Sequence, residues 1–280
     1  MYYFENVKTC NESISKCTAL LKEVFPKMKG LSNEYIRWQY ADNPCGQIVG
    51  FNALYDEKIV AHYVAQPFTA RINGEIKKGL LSLNTATHPD HQGKKLFITL
   101  AEKTYEYAFN QGYTFVIGVA NANSTYGFLH KLDFKHLAPL TVKLGIGEIY
   151  RSLQEKPFSF QHVWDANTFE WRLKNPRCSY TITKEKVYTS ANKLGCKALM
   201  GFFNNDIISQ LSEISYRLFR PITLYLGFDS SINWKQSRYF DLPSRLKPSP
   251  LNLIFRDLSG NHITLDTKNI SFQALDFDAY

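Results

Sequence analysis

The strongest constraint on the fold is the order of sequence patterns between residues 79 and 134. An apolar, β-favouring run over residues 79–87 ends at His88-Pro89, and apolar residues return at helical spacing after Lys95. Proline cannot donate to a strand ladder, so the first strand must end there. The β-branched and aromatic residues 113–119 then predict a second buried strand. The order predicts a strand, a basic turn, an amphipathic helix and another strand.

The turn between this strand and the helix has the composition of an anion site. A turn that leads into a helix leaves backbone N–H groups without intrahelical partners, at the positive end of the helix dipole. Lys94 and Lys95 lie in this turn, so a diphosphate would meet backbone donors and two ammonium groups. The alternative is that residues 92–95 are only a solvated basic start of the helix.

These residues resemble the GNAT superfamily of acyl-CoA-dependent N-acyltransferases. The resemblance rests on the first strand, on residues 88–97 and on residues 121–134. In that family an Arg or Gln, two spacer residues, Gly, one spacer and Gly or Ala form the loop that holds the CoA pyrophosphate. The resemblance therefore implies a CoA site on this strand, turn and helix.

The glycine-rich part of the family's loop is not reproduced. Gln92 fits the first position, Gly93 lies at a spacer position, and Lys95 and Phe97 occupy the two small-residue positions. Lys95 adds a Cβ where backbone and phosphate should approach closely, although a helical φ there would still let its N–H face the ligand. Phe97 is expected to face the sheet and help fill the core.

The resemblance implies acetyl-CoA as co-substrate. The pantetheine arm would lie along the end of the first strand and pair with backbone between two splayed strands. Asn121 or Asn123 would steady the thioester arm, and the alternative for both is loop capping. The cofactor-binding residues implied are Thr85, Ala86, Thr87, Gln92, Gly93, Lys94, Lys95, Leu96, Phe97, Asn121 and Asn123.

The reaction requires a proton to leave the amine and a proton to reach the departing thiolate. The family often uses a Tyr in its last helix as the acid, but Leu129 stands at that position. Tyr126 and His130 are the nearest substitutes, and an exposed helix histidine is the alternative for His130. His88 is the candidate base because histidine titrates near neutrality, its alternative role being to shape the turn before Pro89. No metal is required.

The residues before this region predict a matching architecture. Helices are expected over residues 13–25 and 33–41, and antiparallel strands over 48–55 and 59–68. Asn73-Gly74 predicts a hairpin turn. The order predicts an α/β (α+β) chain. It matches the layout of the GNAT fold that the resemblance implies, in which helices flank a mixed central sheet.

An internal echo predicts a second, related half. Residues 35–44 resemble residues 168–176 with one residue deleted. In the second copy, residues 196–203 would be the central strand, 206–218 the helix and 222–228 the next strand. A coincidental match is the alternative to a duplication.

The second copy lacks the basic turn. Only Asn204-Asn205 separates its strand from its helix, and the charge of Asp206 disfavours phosphate there. We expect residues 1–147 to form the acyl-CoA-binding GNAT domain. Residues 148–280 are expected to form a degenerate GNAT-like domain that has lost cofactor binding and contributes to the acceptor cleft.

Composition narrows the class of protein. The net charge of +8 would attract CoA, a nucleotide-linked sugar or a polyanion, but the arginines are scattered, which argues against nucleic acid as a partner. We find no apolar run of about 18 residues and no basic start of a signal peptide, so a cytoplasmic protein without a membrane partner is expected. The odd count of 5 cysteines fits reduced thiols.

The sequence therefore predicts acetyl transfer from acetyl-CoA to a primary amine of a small molecule. A GNAT domain followed by a GNAT-like half resembles bacterial enzymes that modify amino sugars of surface polysaccharides, which implies an amino sugar or sugar nucleotide as acceptor. The alternatives are a Fem-type tandem-GNAT aminoacyltransferase that uses aminoacyl-tRNA, and a catalytically inactive GNAT-like binding protein. The oligomeric state stays open.

Overall fold

The structure is a computed structural model that describes residues 1–152, 157–191, 195–209, 220–242 and 250–279. The chain forms two compact units, each built from several segments. The first unit contains Met1–Phe68, Lys77–His136 and Ile254–Ile263, and the second contains Thr69–Ile76, Leu137–Leu253 and Thr264–Tyr280. No described helix is both long enough and apolar enough to cross a membrane.

The longest described helices lie in the first half of the chain, whereas strands predominate in the second half. Up to residue 131 the elements are β1 (Tyr3–Asn6), α1 (Asn11–Val24), α2 (Asn33–Tyr40), β2 (Val49–Tyr55), β3 (Lys58–Ile72), β4 (Glu75–Thr87), α3 (Leu96–Asn110), β5 (Phe115–Ala120) and α4 (Ala122–Lys131). The remaining elements are β6 (Lys135–Pro139), β7 (Thr141–Ile146), β8 (Phe160–His162), α5 (Ala166–Leu173), β9 (Tyr180–Thr183), β10 (Lys186–Ala191), β11 (Cys196–Phe202), α6 (Asn205–Ile208), β12 (Ile222–Asp229), β13 (Tyr239–Asp241), β14 (Asn252–Asp257) and β15 (Ile270–Gln273).

The first unit has a mixed sheet. Strands β1 and β2 pair antiparallel, as do β2 and β3, whereas β4 and β5 pair in parallel. Helix α3 forms because apolar residues recur on one face, and this face packs on the core beside the sheet. Its buried residues are Leu96, Leu100, Ala101, Thr104, Tyr105 and Ala108. The predicted mixed α/β fold is confirmed.

The hairpin predicted at Asn73-Gly74 is confirmed, and its strands are longer than expected. Asn73 and Gly74 have left-handed φ angles of 49° and 90°, as a two-residue hairpin turn requires. Strand β3 is 15 residues long and includes the predicted strand over 59–68, while β4 is 13 residues long. The predicted helices over 13–25 and 33–41 correspond to α1 and α2, with ends that differ by one or two residues.

A segment from the C-terminal part of the chain completes the first unit. Residues 254–257 of β14 belong to this unit, and β14 lies beside β5 in the sheet. Phe255 stacks on Phe115 with ring centroids 5.6 Å apart. Arg256 donates a hydrogen bond to the carbonyl of Leu132 at 2.7 Å. The core of this unit therefore depends on residues far apart in the sequence.

The second unit also contains a parallel strand pair. The predicted strands over 196–203 and 222–228 are confirmed as β11 and β12, which pair in parallel. On its other side β12 pairs antiparallel with β7. Of the helix predicted over 206–218, the structure has α6, and residues 210–218 lie outside the described residues.

Candidate functional site

The parallel strands β4 and β5 separate at one end. Their paired register runs from Gly79 opposite Phe115 to Ser82 opposite Gly118, after which both strands continue without pairing to each other. We call the end of this strand pair beyond Ser82 and Gly118 the open end. It follows that β4 has a backbone edge towards β5 that β5 does not fill.

Three residues predicted to bind the pantetheine arm lie on this open end. Thr85 and Thr87 are half-buried and Ala86 is buried. Extended backbone of this kind pairs with a further extended chain through alternating N–H and C=O groups. The residues lie where an amide-containing arm would be held by backbone.

The turn between β4 and α3 is exposed and basic. Gln92, Gly93, Lys94 and Lys95 are all exposed. Gly93 has a φ of 74°, which glycine adopts without strain. No acidic side chain lies in the first turn of α3, and no side chain caps its N-terminus. The turn therefore leaves the positive end of the helix dipole open to an anion.

Lys95 has a left-handed φ of 59°. This conformation brings Cβ close to the following carbonyl and costs an L-residue roughly 1–2 kcal/mol. It is the conformation that favours glycine, the residue type of the family's loop at this position. Lys95 therefore occupies a glycine-like backbone position at the cost of local strain.

The first backbone N–H groups of α3 have no acceptor within the helix, as at the start of any α-helix. The first intrahelical bond runs from the N–H of Thr99 to the carbonyl of Lys95 at 3.1 Å. The N–H groups of Leu96 and Phe97 precede it and have no intrahelical acceptor. They are the groups that the resemblance assigns to the CoA pyrophosphate.

The Phe97 side chain packs inward, as expected. Its ring lies 5.1 Å from that of Phe128 and 6.0 Å from that of Tyr63. A Cβ at Gly127 would approach the Phe97 ring to 2.8 Å, so the glycine makes room for the phenylalanine. The bulky residue fills the core rather than the space outside the loop.

Lys94 is held near the turn by the groups around it. Its Nζ donates to the carbonyl of Asp90 at 3.3 Å and lies 5.9 Å from the centre of the Tyr2 ring. The Tyr2 hydroxyl is 2.9 Å from Nδ1 of His91. Because Lys94 is exposed, its charge is available to a phosphate at the turn.

His88, the predicted base, caps the short 3-10 helix Pro89–His91. Its Nδ1 accepts a hydrogen bond from the N–H of Asp90 at 3.2 Å. Its Nε2 lies 2.9 Å from a carboxylate oxygen of Glu23, so both ring nitrogens have protein partners. The arrangement matches its alternative role in shaping the turn.

The two asparagines after β5 differ in their surroundings. The Oδ1 atom of Asn121 accepts hydrogen bonds from the N–H groups of Asn123 and Ser124 at 3.0 and 3.1 Å, which caps α4. This is the capping alternative for Asn121. Asn123 is exposed in the first turn of α4.

The two predicted acid candidates lie together on α4. The rings of Tyr126 and His130, one helical turn apart, have centroids 4.6 Å apart. Both are exposed. Leu129, which stands where the family's tyrosine is expected, is half-buried and packs on the core. The exposed face of α4 therefore carries the titratable groups.

The sequence reasoning missed a polar network beneath the open end. Inside β4, Asn84 has a left-handed φ of 48°. Its Nδ2 donates to Oε1 of Gln39 at 2.6 Å and to the hydroxyl of Tyr40 at 3.0 Å. Asparagine is depleted in strands, so an Asn in the middle of β4 was the signal that could have located this network.

The network continues into the core through His62. The Tyr40 hydroxyl lies 2.7 Å from Nε2 of His62, and Nδ1 of His62 lies 2.7 Å from Oδ1 of Asn52. Burial lowers the pKa of His62 to about 3 and raises that of the Tyr40 hydroxyl well above its usual value. A histidine in the apolar run of β3 required such partners, because an unpaired buried polar group is costly.

Comparison with known proteins identifies the family of most of the first unit. Residues 7–137 match the family described as Acetyltransferase (GNAT) domain. These residues are a GNAT domain. No curated protein matches the sequence. The open end and the α3 turn both lie inside the matched GNAT domain.

Solved structures extend the likeness in fold to most of the chain. A conserved protein from Enterococcus faecalis V583, described as a probable N-acyltransferase, has a TM-score of 0.59 at 9% identity and covers 92% of this chain and 73% of its own. A GCN5-related N-acetyltransferase from Anabaena variabilis has a TM-score of 0.56 at 13% identity, with coverages of 91% and 73%. Saccharomyces cerevisiae N-myristoyltransferase with bound myristoyl-CoA has a TM-score of 0.58 at 10% identity, with coverages of 95% and 87%. The GNAT fold of the chain is thereby shown.

The second unit repeats a local feature of the GNAT domain. Helices α2 and α5 are each 8 residues long, and both carry the tryptophan of the echoed sequence. After α2, Oδ1 of Asn43 accepts from the N–H of Cys45 at 3.0 Å. After α5, Oδ1 of Asn175 accepts from the N–H of Arg177 at 2.9 Å. The two Asn-Pro segments thus make the same turn.

The parallel pair of the second unit is occupied at the end where the GNAT domain's pair is open. The register of β11 with β12 ends at Leu199 opposite Tyr225. Gly227 of β12 pairs with Thr141 of β7 on one side and with Gln273 of β15 on the other. Because β7 lies on the side of β12 away from β11, β15 pairs with the same edge of β12 as β11 does, beyond the end of the β11 pairing.

The side chain of Gln273, a residue of β15, also binds the end of β11. Its Oε1 accepts from the N–H of Phe202 at 2.6 Å, and its Nε2 donates to the Phe202 carbonyl at 3.4 Å. A Cβ at Gly201 would lie 2.8 Å from the same Oε1 atom. The backbone N–H and carbonyl of Phe202, at the end of β11, therefore both have a partner in the Gln273 side chain.

Proposed function

We propose that the chain is an acetyl-CoA-dependent N-acyltransferase whose single CoA site lies in the GNAT domain. The observation that carries the proposal is the combination of the open end with the uncapped, acid-free start of α3. Pantetheine amides match an unfilled strand edge, and a diphosphate matches free N–H groups beside lysines. Both features follow one another along one stretch of chain.

In the proposed complex each part of CoA has its own group of residues. The pyrophosphate lies against the backbone of Gln92 to Phe97, with Lys94 and Lys95 as cations. The pantetheine arm lies along Thr85, Ala86 and Thr87. Asn121 fixes the start of α4 near the thioester, and Asn123 is an exposed amide in its first turn. Direct attack of the amine on the thioester then needs no metal.

The reaction is written as a direct displacement. The neutral amine nitrogen forms the new C–N bond to the thioester carbonyl, the C–S bond breaks, and the CoA thiolate leaves. The nitrogen loses one proton to a base, for which His88 or water is the candidate, and the thiolate gains one from Tyr126 or His130. Because the Tyr126 and His130 rings are in contact, whichever of the two donates the proton has the other directly beside it.

The proposed acceptor is a small molecule with a primary amine, with an amino sugar or sugar nucleotide as first choice. The net charge of +8 would attract a nucleotide-linked sugar as well as CoA itself. The proposed compartment is the cytoplasm, where CoA is available. We propose no nucleic acid partner for this function.

The test of the proposed function is binding first and turnover second. Calorimetry with acetyl-CoA should give saturable binding, and release of free CoA thiol should depend on an added amine from a panel of amino sugars, sugar nucleotides and polyamines. Tight CoA binding without turnover on any amine would favour a GNAT-like binding protein. Absence of CoA binding would overturn the proposal.

A second candidate is a Fem-type aminoacyltransferase that uses aminoacyl-tRNA. The observation that favours it is the repeated helix and Asn-Pro turn, since two GNAT-like halves are what that class implies. We propose that the second unit is a degenerate GNAT-like domain that contributes to the acceptor cleft, because β15 and Gln273 fill its strand pair. Binding of tRNA in preference to acetyl-CoA would favour the Fem-type interpretation.

A further inference from the structure

We infer that Asn84 is the residue that receives the acceptor amine, through its side-chain Oδ1 atom, and that Tyr40 and His62 are positioning residues behind it. The inference rests on the proposed N-acyl transfer and names the group that orients its nucleophile. Three observations support it: the position of Asn84 in β4, the hydrogen bonds that its side chain already makes, and the buried residues that fix the direction of those bonds.

Asn84 lies where the open end begins. It lies two residues after Ser82, the last β4 residue paired with β5, and directly before Thr85, the first residue assigned to pantetheine. Its left-handed φ of 48° breaks the alternation of the strand, so its amide meets α2 while Ser82 meets Tyr63 at 2.9 Å. A half-buried Asn84 at this point sits beside the predicted path of the thioester arm.

The hydrogen bonds of Asn84 leave only an acceptor atom for a ligand. Both protons of its Nδ2 are used, in the bonds to Gln39 and Tyr40. Among the described residues Oδ1 has no hydrogen-bond partner. A side-chain amide ordinarily offers both a donor and an acceptor, but in Asn84 only the carbonyl is left. The ligand group that matches it is an N–H donor, such as an amine.

The buried partners of Asn84 determine which atom donates and which accepts in each hydrogen bond of this network. The Tyr40 hydroxyl accepts from Asn84, so its own proton goes to Nε2 of His62. His62 then carries its proton on Nδ1 and donates it to Oδ1 of Asn52. Every bond in the chain from Asn84 to Asn52 is determined by its neighbour, and rotation of the Asn84 amide would set two acceptors against each other.

This arrangement orients the amine without taking part in proton transfer. A neutral amine that donates one N–H to Oδ1 has its lone pair directed elsewhere, towards the thioester carbonyl. Asn84 accepts no proton, so the proton that nitrogen loses leaves through the base or water. A site built to pair with a substrate N–H discriminates against analogues that lack it.

Asn84→Gly tests the role of the side chain. Glycine adopts the left-handed φ freely, so the variant removes the amide without backbone strain. Asn73→Gly is the matched control, because Asn73 has a φ of 49° in the β3–β4 hairpin turn. With glucosamine and spermidine as probe amines, we expect kcat/KM for the amine to fall at least tenfold in Asn84→Gly, mainly through KM. The dissociation constant for acetyl-CoA should stay within twofold, and Asn73→Gly should match the wild type in both.

Calorimetric binding of the same amines to the CoA-loaded protein gives a readout that needs no turnover. Asn84→Gly should lose this binding and Asn73→Gly should keep it. An unchanged amine KM in Asn84→Gly would overturn the inference, and so would a wild-type CoA complex that binds neither amine. Failure of the wild type to bind acetyl-CoA would instead overturn the proposed function and the inference with it.

The positioning residues have their own test. Tyr40→Phe leaves one Asn84 proton and Nε2 of His62 without partners, so we expect a rise in amine KM with little change in kcat. His62→Leu should have the same effect, and His62→Gln should recover part of the loss because its amide offers both an acceptor and a donor. Equal effects of Leu and Gln at this position would contradict a positioning role.

Discussion

The hydroxyl of Tyr40 lies 2.7 Å from Nε2 of His62, and both side chains are fully buried. The pair joins α2 to β3 through polar groups rather than apolar packing. A protonated His62 would offer Nε2 as a donor, and the hydroxyl proton of Tyr40 would lose its acceptor. The neutral ring is therefore part of the structure.

This relationship predicts an acid-sensitive stability. The folded pKa of His62 is about 3, below its ordinary value of 6.5, because burial disfavours the charged ring. The full stability of the fold with neutral His62 is present above pH 6.5. As the pH falls from 6.5 towards 3, His62 of the unfolded chain binds a proton that His62 of the folded chain does not bind, so the fold loses stability. The free energy of unfolding should then fall by up to about 1.4 kcal/mol per pH unit from this group. Urea unfolding of the wild type and of His62→Gln across this range measures it, and parallel pH profiles would contradict it.

The Lys94 charge should matter only for the phosphates of CoA. Lys94→Ala is expected to weaken acetyl-CoA binding by about twofold to fivefold, because one exposed charge pair contributes roughly 0.4–1 kcal/mol. The loss should shrink at high salt. Binding of S-acetylpantetheine, which lacks the pyrophosphate, should not change, and neither should either ligand's binding to Lys131→Ala. A loss shared by both ligands would place Lys94 elsewhere.

Lys95→Gly should stabilise the protein. The substitution relieves the left-handed strain at φ 59°, for an expected gain of about 1 kcal/mol in the free energy of unfolding. The matched variant Lys94→Gly also loses a lysine of the turn but has no left-handed φ to relieve, so it should gain nothing. Thermal and urea unfolding of the two variants decide this, and equal stabilities would show that the strain at Lys95 is not significant.

The chain should bind one CoA. The end of the β11–β12 pair in the second unit is filled by β15 and by the hydrogen bonds of Gln273 to Phe202. Of the pairs β4–β5 and β11–β12, only β4–β5 offers an open end. Calorimetry should give a stoichiometry of one CoA per chain. Lys94→Glu should weaken this single class of sites as a whole, whereas a half-sized loss would reveal a second site.

The roles of Tyr126 and His130 can be distinguished by the kinetics of their variants. If Tyr126 gives its proton to the thiolate, Tyr126→Phe lowers kcat by about 100-fold while acetyl-CoA binding is unchanged. His130→Ala should then leave kcat close to the wild-type value. His88→Ala should remove the acidic limb of the pH profile of kcat if His88 is the base. A wild-type profile in His88→Ala would assign the base to water.

Much of the GNAT domain could be predicted because its elements follow local rules. The face of α3 repeats apolar residues with helical spacing, Asn73-Gly74 requires a tight turn, and Pro89 ends β4. These signals act over a few residues and are visible in one sequence. The basic turn before α3 could be located in the same way.

The polar network could not be predicted, because its contacts depend on tertiary structure. Asn84 and Gln39 are 45 residues apart in the chain and meet only once α2 packs beside β4. The left-handed φ of Lys95 could not be predicted either, because lysine ordinarily avoids this backbone conformation.

The return of residues 254–263 to the GNAT domain has a consequence for how the protein is made. The ribosome synthesises residues 7–137 well before it synthesises β14. Until β14 is made, the edge of β5 in the nascent domain has no strand beside it. Such an edge invites pairing with other chains. Expression of the matched region alone should therefore yield aggregates, and a workable shorter form would need β14 grafted back by a linker or circular permutation.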